Sequence, residues 1–253
     1  MLKYIYTLIQ LAKFKEKVIK KKYVFKRNEL KYVITPEIMR LLIDKFSKFV
    51  EPDEYGETTV YSLYYDTPDK RIIRKSVEKP PFKEKLRVRK YGSKKGSNVF
   101  IELKRKVDGV VYKRRIELLE KTAFDYLSGK PVDFDGQIKR EIDYFISFYK
   151  NLQPSTMISC ERIAFKNDET ELRITFDKNI RYRTCDFEFK NSNNDVLITD
   201  NSVLMEIKTP YAIPLEIVKI LSDLKLYKRS FSKYGTAHLK ELNSTLKGDE
   251  NVG

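Results

Sequence analysis

The chain has 253 residues, 41% hydrophobic and 13% aromatic, enough for a packed core and too apolar for a disordered chain. Lys and Arg number 51 against 36 Asp and Glu; the net charge of +15 implies a polyanionic partner, whether nucleic acid, an anionic membrane surface or a phosphorylated small molecule. Two cysteines (Cys160, Cys185) and one histidine (His238) leave no disulfide framework, no four-ligand zinc site and no cysteine or histidine nucleophile system, and they suit a reducing, cytoplasmic compartment.

The first 22 residues, MLKYIYTLIQLAKFKEKVIKKK, run from apolar to basic without a small-residue cleavage site or a membrane-spanning length. They read as an amphipathic helix that packs on the body or makes a peripheral membrane contact. YVFKRNELKYVI (23–34) then alternates as a strand, and TPEIMRLLIDKFSKFV (35–50) switches to helical spacing. Thr35 is placed to cap that helix, with Pro36 at its first position. TTVYSLYYDT (58–67) reads as a strand and PDKRIIRKS (68–76) as a short helix or turn. Three strands follow, FKEKLRVRKYG (82–92), SNVFIELKRKVDG (97–109) and VVYKRRIEL (110–118), with Asp108–Gly109 as a hairpin turn. Residues 119–150 read as helical. Strands resume at 156–165, 170–180, 182–189 and 202–210, and two helical pieces close the chain at 214–226 and 232–246. His238 falls in the last of these, where a surface position is expected. The organisation expected is an N-terminal segment (1–22), one α+β domain on a large antiparallel sheet (23–246) and a frayed tail (247–253).

Nearly every strand pairs a charged face with an apolar one. Lys85, Arg87, Arg89 and Tyr91 oppose Leu86 and Val88. Arg27, Glu29 and Lys31 oppose Leu30 and Tyr32. Glu102 and Lys104 oppose Ile101 and Leu103, and Lys113 and Arg115 oppose Tyr112 and Ile116. Arg173 and Asp177 oppose Ile174 and Phe176, and Glu206 and Lys208 oppose Met205 and Ile207. One such strand alone is an ordinary solvated surface. With helices covering the apolar faces, the charged faces become the lining of a closed or nearly closed barrel, a tunnel for a phosphate chain. Neither a P-loop nor a G-x-G-x-x-G loop is present, so phosphate would be held by side chains. The markers of specific nucleic-acid binding are also missing.

Eight short motifs carry a resemblance to a known family: RNELKY (27–32), YSLYYDT (61–67), KLRVRKYG (85–92), FIELKRK (100–106), ERIAF (161–165), LRITFD (172–177), LMEIKTP (204–210) and SFSKYG (230–235). In this order they resemble the VTC-type polyphosphate polymerase domain of the triphosphate tunnel metalloenzymes (CYTH-like superfamily). The resemblance implies an antiparallel β-barrel with flanking helices that binds ATP and inorganic polyphosphate with Mn²⁺ or Mg²⁺, and transfers the γ-phosphoryl to the growing chain. It implies phosphate-binding or catalytic roles for Lys31, Arg87, Arg89, Lys104, Arg162, Lys208 and Lys233, and metal ligation by Glu206, with Glu29, Glu102 and Asp177 as further candidates. Lys113, Arg115 and Arg173 join the phosphate ligands from their strand faces, and Tyr234 is a further candidate beside its packing role. Arg27, a further phosphate-binding candidate, stands where the hydrolytic relatives carry a glutamate, which favours the polymerase branch. Cys160 stands where the family often has a tyrosine, which removes one nucleotide contact. A triphosphate or nucleoside-triphosphate hydrolase in the same tunnel, and a non-catalytic polyanion binder, remain as alternatives.

Overall fold

The computed structural model describes residues 28–108 and 110–249, so Arg27 and the N-terminal segment lie outside the described residues. In chain order the elements are β1 (Asn28–Ile34), α1 (Pro36–Phe46), β2 (Glu51–Pro52), β3 (Thr58–Asp66), α2 (Arg71–Val77), β4 (Phe82–Tyr91), β5 (Asn98–Val107) and β6 (Val110–Leu119). They continue with α3 (Glu120–Leu127), α4 (Gln137–Tyr149), β7 (Gln153–Asn167), β8 (Leu172–Arg183), β9 (Val196–Leu197), β10 (Val203–Thr209), α5 (Leu215–Asp223) and α6 (Lys233–Asp249). The start of α1 is as its sequence requires: the Thr35 hydroxyl accepts from the Ile38 amide at 3.3 Å, and Pro36 opens the helix. Helix α6 runs three residues into the stretch expected to fray.

The strands form one antiparallel sheet, ordered β1-β10-β8-β7-β3-β4-β5-β6, with β2 on β7 and β9 on β8. Its convex face is apolar and lies under helices. On one wing Tyr32, Ile174, Phe176, Met205 and Ile207 pack with Met39, Leu42 and Phe46 of α1 and with Ile217 and Leu221 of α5. On the other, Leu63, Leu86, Val88, Ile101 and Leu103 pack with Ala123 and Tyr126 of α3 and with Ile142 and Phe145 of α4. Burying such side chains is the main driving force for the curl, at about 25 cal/mol per Å² of apolar surface. A third cluster sits on the concave side. Tyr64, Ile158, Cys160, Ile180, Tyr182 and Leu204 meet Ile73 of α2 and Tyr234 and Ala237 of α6, and together they fill one end of the curl.

The barrel expected from sequence is a half-barrel in its hydrogen bonding, because β1 and β6 pair with no common neighbour. The segment before α6 occupies the free edge of β1 instead. The Arg229 amide donates to the Lys31 carbonyl at 2.8 Å, and the Lys31 ammonium donates to the Phe231 carbonyl at 2.9 Å. From there Ser232 reaches the opposite wing, where Lys85 donates to its hydroxyl at 3.2 Å. The wings also meet through Lys104 and Glu29 at 3.4 Å. The tunnel is thus closed by a strap and by ion pairs rather than by a β-ladder. A second departure from the sequence reading is the stretch 182–189: β8 stops at Arg183, whose buried guanidinium ties the Asp186, Glu188 and Lys190 carbonyls and Asp195 into a loop.

Candidate functional site: a basic tunnel

Directly opposed residues in an antiparallel ladder project from the same face. The register therefore places the predicted residues together. Glu29 opposes Lys208, which opposes Arg173; Lys31 opposes Glu206, which opposes Thr175; Asp177 opposes Arg162. On the other wing Arg87 opposes Glu102, which opposes Arg115, and Lys85 opposes Lys104, which opposes Lys113. Strand β3 joins the wings through Tyr64 opposite Arg87 and Ser62 opposite Arg89. All of these lie on the concave face, and Lys233 enters from the first turn of α6.

The charges resolve into two carboxylate-centred clusters. In the first, Asp177 accepts from Arg162 Nε at 2.6 Å and Nη2 at 2.7 Å, and from Lys233 at 2.5 Å. Beside it, Glu206 accepts from Lys208 at 2.6 Å, with Lys31 and Lys233 each 3.6 Å from its other oxygen. In the second, Glu102 accepts from Arg87 Nε at 2.8 Å and pairs with Lys113 and, at 3.8 Å, with Arg89. Glu29 bridges the two, 3.4 Å from Lys104 and 3.7 Å from Lys208.

Burial disfavours ionised carboxylates, yet here the surrounding cations prevail. Against the burial that raises it, Lys104 and Lys208 hold the Glu29 carboxyl at about 2. Asp177 is held well below the usual range by Arg162 and Lys233, and Glu206 by Lys208, Lys233 and Lys31. The cations crowd one another in turn. Burial lowers Lys85 to about 8 and Lys113 to about 7, with neighbouring lysines and arginines adding to the effect. Burial would raise the Tyr64 phenol, but Arg87, Lys85 and Arg89 bring it down to about 8. Lys233 moves the other way, to about 12, because Asp177 and Glu206 outweigh its burial. A cavity whose lysines struggle to stay protonated gains from an added anion.

Among the described residues no group of three or more His, Cys, Asp or Glu converges to cage a metal. The donor set does fit a divalent cation shared with phosphate, which needs only one or two carboxylates from the protein. Glu206 has one oxygen with no cation closer than 3.6 Å, and opposite it the buried Thr175 hydroxyl has no hydrogen-bond partner. Glu29 is similarly loose. Glu102 and Asp177 hold their cations closer, Glu102 through Arg87 and Lys113 and Asp177 through Arg162 and Lys233, so both oxygens of each are paired in this arrangement.

Three residues sit otherwise than expected. Tyr234 is buried, stacks on Tyr64 with centroids 4.2 Å apart and donates its hydroxyl to Asp66 at 2.8 Å, so its packing role is the one this structure displays. Arg173 turns to Asp53 at 2.8 Å, at the rim. His238 is buried beneath α2 rather than exposed, since α6 folds back into the tunnel's filled end. Lys85 is the tunnel cation missing from the phosphate ligands inferred by resemblance. Its place on the same alternating face as Arg87 was the available signal.

A curled antiparallel sheet with helices on its apolar convex face and cations on its concave face defines an anion-binding tunnel protein. The family model of the VTC domain matches residues 26–240, and the chain belongs to this family of polyphosphate-related tunnel proteins. The comparison with curated proteins finds no match. Among solved structures, one from Bacillus halodurans described as a "putative adenylate cyclase" shares the fold at 13% identity and a TM-score of 0.52, covering 82% of this chain and 96% of its own. A Vibrio parahaemolyticus structure with the same description aligns at 12% identity and a TM-score of 0.44, over 84% of this chain and 98% of its own.

Proposed function

We propose that this protein is a polyphosphate polymerase that transfers the γ-phosphoryl of ATP to the end of an inorganic polyphosphate chain, with Mn²⁺ or Mg²⁺. The observation that carries this reading is the setting of Glu206, a buried carboxylate with Lys31, Lys208 and Lys233 within 4 Å, on the face that also bears Arg87, Arg89 and Arg162. Phosphoryl transfer depends on positioning and charge neutralisation more than on a protein nucleophile. Cys160, the cysteine on this face, is a buried thiol pushed up to about 11, so it is not a nucleophile at neutral pH.

In this reading Arg87, Arg89, Arg162, Lys31, Lys208 and Lys233 bind the phosphates of donor and acceptor and hold them in line. Glu206, assisted by Glu29, would hold the metal, which would supply charge neutralisation to the phosphates. The attacking atom is a terminal phosphate oxygen of the chain, already ionised. It forms a bond to the γ-phosphorus while the bond to the β–γ bridging oxygen breaks, and ADP leaves with that electron pair. The test is incubation of the purified protein with ATP and Mn²⁺, with products resolved by size. A ladder of phosphate chains together with ADP supports the polymerase. Orthophosphate without chains replaces it with a hydrolase in the same tunnel.

A further inference from the structure

Strand β4 carries a graded series along the tunnel. Lys85 lies over the Tyr234 ring at 5.5 Å and Arg87 over the Tyr64 ring at 5.7 Å, so both border the filled end. Arg89 comes next, beside Glu102. Tyr91 ends the strand on the same face and is 42% exposed. Same-face residues on a strand are spaced by about 7 Å. Tyr91 is therefore one step beyond Arg89 and two beyond Arg87, at the exposed end of the strand.

This exposed ring is fixed in place. Phe100 meets it edge-on at 5.9 Å and 78°, and the Arg115 guanidinium covers Phe100 at 4.8 Å from the ring centre. Against the burial that raises it, Arg89, hydrogen-bonded to the Tyr91 hydroxyl, and Arg162 bring this phenol down, so its polar end lies near those cations. The ring therefore offers a flat apolar surface to solvent while its polar end stays with the phosphate-binding cations. Of the other exposed tyrosines, Tyr144 stacks on Phe148, but within α4 on the convex side of the sheet, away from the tunnel cations.

We propose that Tyr91, braced by Phe100 and Arg115, is the stacking platform for the base of the donor nucleotide. This rests on the reading that the tunnel takes a nucleoside triphosphate, and adds where its base lies. The base stacks on Tyr91 at the mouth and the phosphates run inward past Arg89 to Arg87 and Lys85. A stack of this kind is tolerant of base identity, because every base has a π-face. ATP and GTP are therefore accepted to similar extents.

The test compares ATP with inorganic tripolyphosphate, which lacks a base, by titration calorimetry in metal-free buffer where no turnover occurs. In Tyr91→Ala, ATP binding weakens by about tenfold, the lower part of the range for a base–aromatic stack, while tripolyphosphate binding is unchanged. Tyr91→Phe, which keeps the ring, binds ATP as the wild type does. Equal weakening of both ligands in Tyr91→Ala, or no weakening of ATP, overturns the platform and leaves the tunnel reading standing. If the wild type binds neither ligand, the tunnel reading fails first and the platform with it.

Discussion

The counter-ion role of Asp177 gives a sharp prediction. Its carboxylate receives three charge-assisted hydrogen bonds, two from Arg162 at 2.6 and 2.7 Å and one from Lys233 at 2.5 Å, and is fully buried. Asp177→Asn keeps the shape but removes the charge and turns an amide donor toward cations that are themselves donors. Lys233 then retains only Glu206, at 3.6 Å. Removing one partner of a buried pair costs about 3–5 kcal/mol. For a domain of this size roughly 2–4 °C of Tm is lost per kcal/mol, so the variant should melt about 6–20 °C lower. An anion can replace the lost charge. Saturating tripolyphosphate stabilises any binder, by about 2.7 kcal/mol at 100 times Kd, and it should raise the Tm of the variant more than that of the wild type. The pH dependence has a defined sign: the folded pKa of Asp177 is depressed, so its contribution is complete above the unfolded value of about 3.9 and is lost as pH falls through the lower folded value. The variant should therefore lose less stability on acidification. Scanning calorimetry with and without tripolyphosphate measures all of this. A variant that melts within about 2 °C of the wild type, or equal ligand shifts in both proteins, would refute the counter-ion role.

Other consequences are separable. Glu206→Gln should lower metal-dependent ATP turnover by more than the roughly 10–100-fold that losing a group supporting a metal ligand costs. In metal-free buffer its tripolyphosphate binding should be unchanged or tighter, because a negative charge has left a site ringed by Lys31, Lys208 and Lys233; weaker binding there would count against the assignment. Lys85, lowered to about 8 in the fold from an unfolded value of about 10.4, destabilises the fold fully below pH 8 and progressively less as pH rises toward 10.4. Chemical denaturation from pH 7 to 10 should accordingly show the wild type gaining on Lys85→Met, and parallel curves would dismiss the lysine. Thr35→Ala should cost about 1 kcal/mol by urea denaturation, since the hydroxyl caps α1.

The alternation of charged and apolar residues was legible because a strand has a strict period of two, and it correctly assigned the face of Lys31, Arg87, Lys104 and Glu206. What it could not carry was anything set by curvature. The strap at Arg229–Ser232 substitutes for a β1–β6 ladder, and no local pattern announces a backbone amide reaching the Lys31 carbonyl from so far along the chain. Tyr234 and His238 read as surface or site residues because α6 looks like an ordinary amphipathic helix. Only its return into the curl buries them. The different states of the four carboxylates were equally hidden. Glu102 and Glu206 have the same flanking pattern, and they are distinguished only by which cations stand across the ladder.

That distinction bears on where a polyanion binds. Residues 28–253 contain 42 Lys and Arg against 35 Asp and Glu, a surplus of seven. The tunnel residues named above carry a surplus of that size: eleven cations (Lys31, Lys85, Arg87, Arg89, Lys104, Lys113, Arg115, Arg162, Arg173, Lys208, Lys233) stand against Glu29, Glu102, Asp177 and Glu206. A polyanion is therefore drawn most strongly to this face of the sheet. Inside, the buried Glu102 and Asp177 keep the cations compatible with a folded, ligand-free state. The looser Glu206 and Glu29 leave the neighbouring lysines free to turn to an incoming phosphate. A tunnel lined with cations alone would repel itself, and one with every carboxylate locked in place would have no opening for a metal. The division between locked and loose carboxylates satisfies both demands on one face of one sheet.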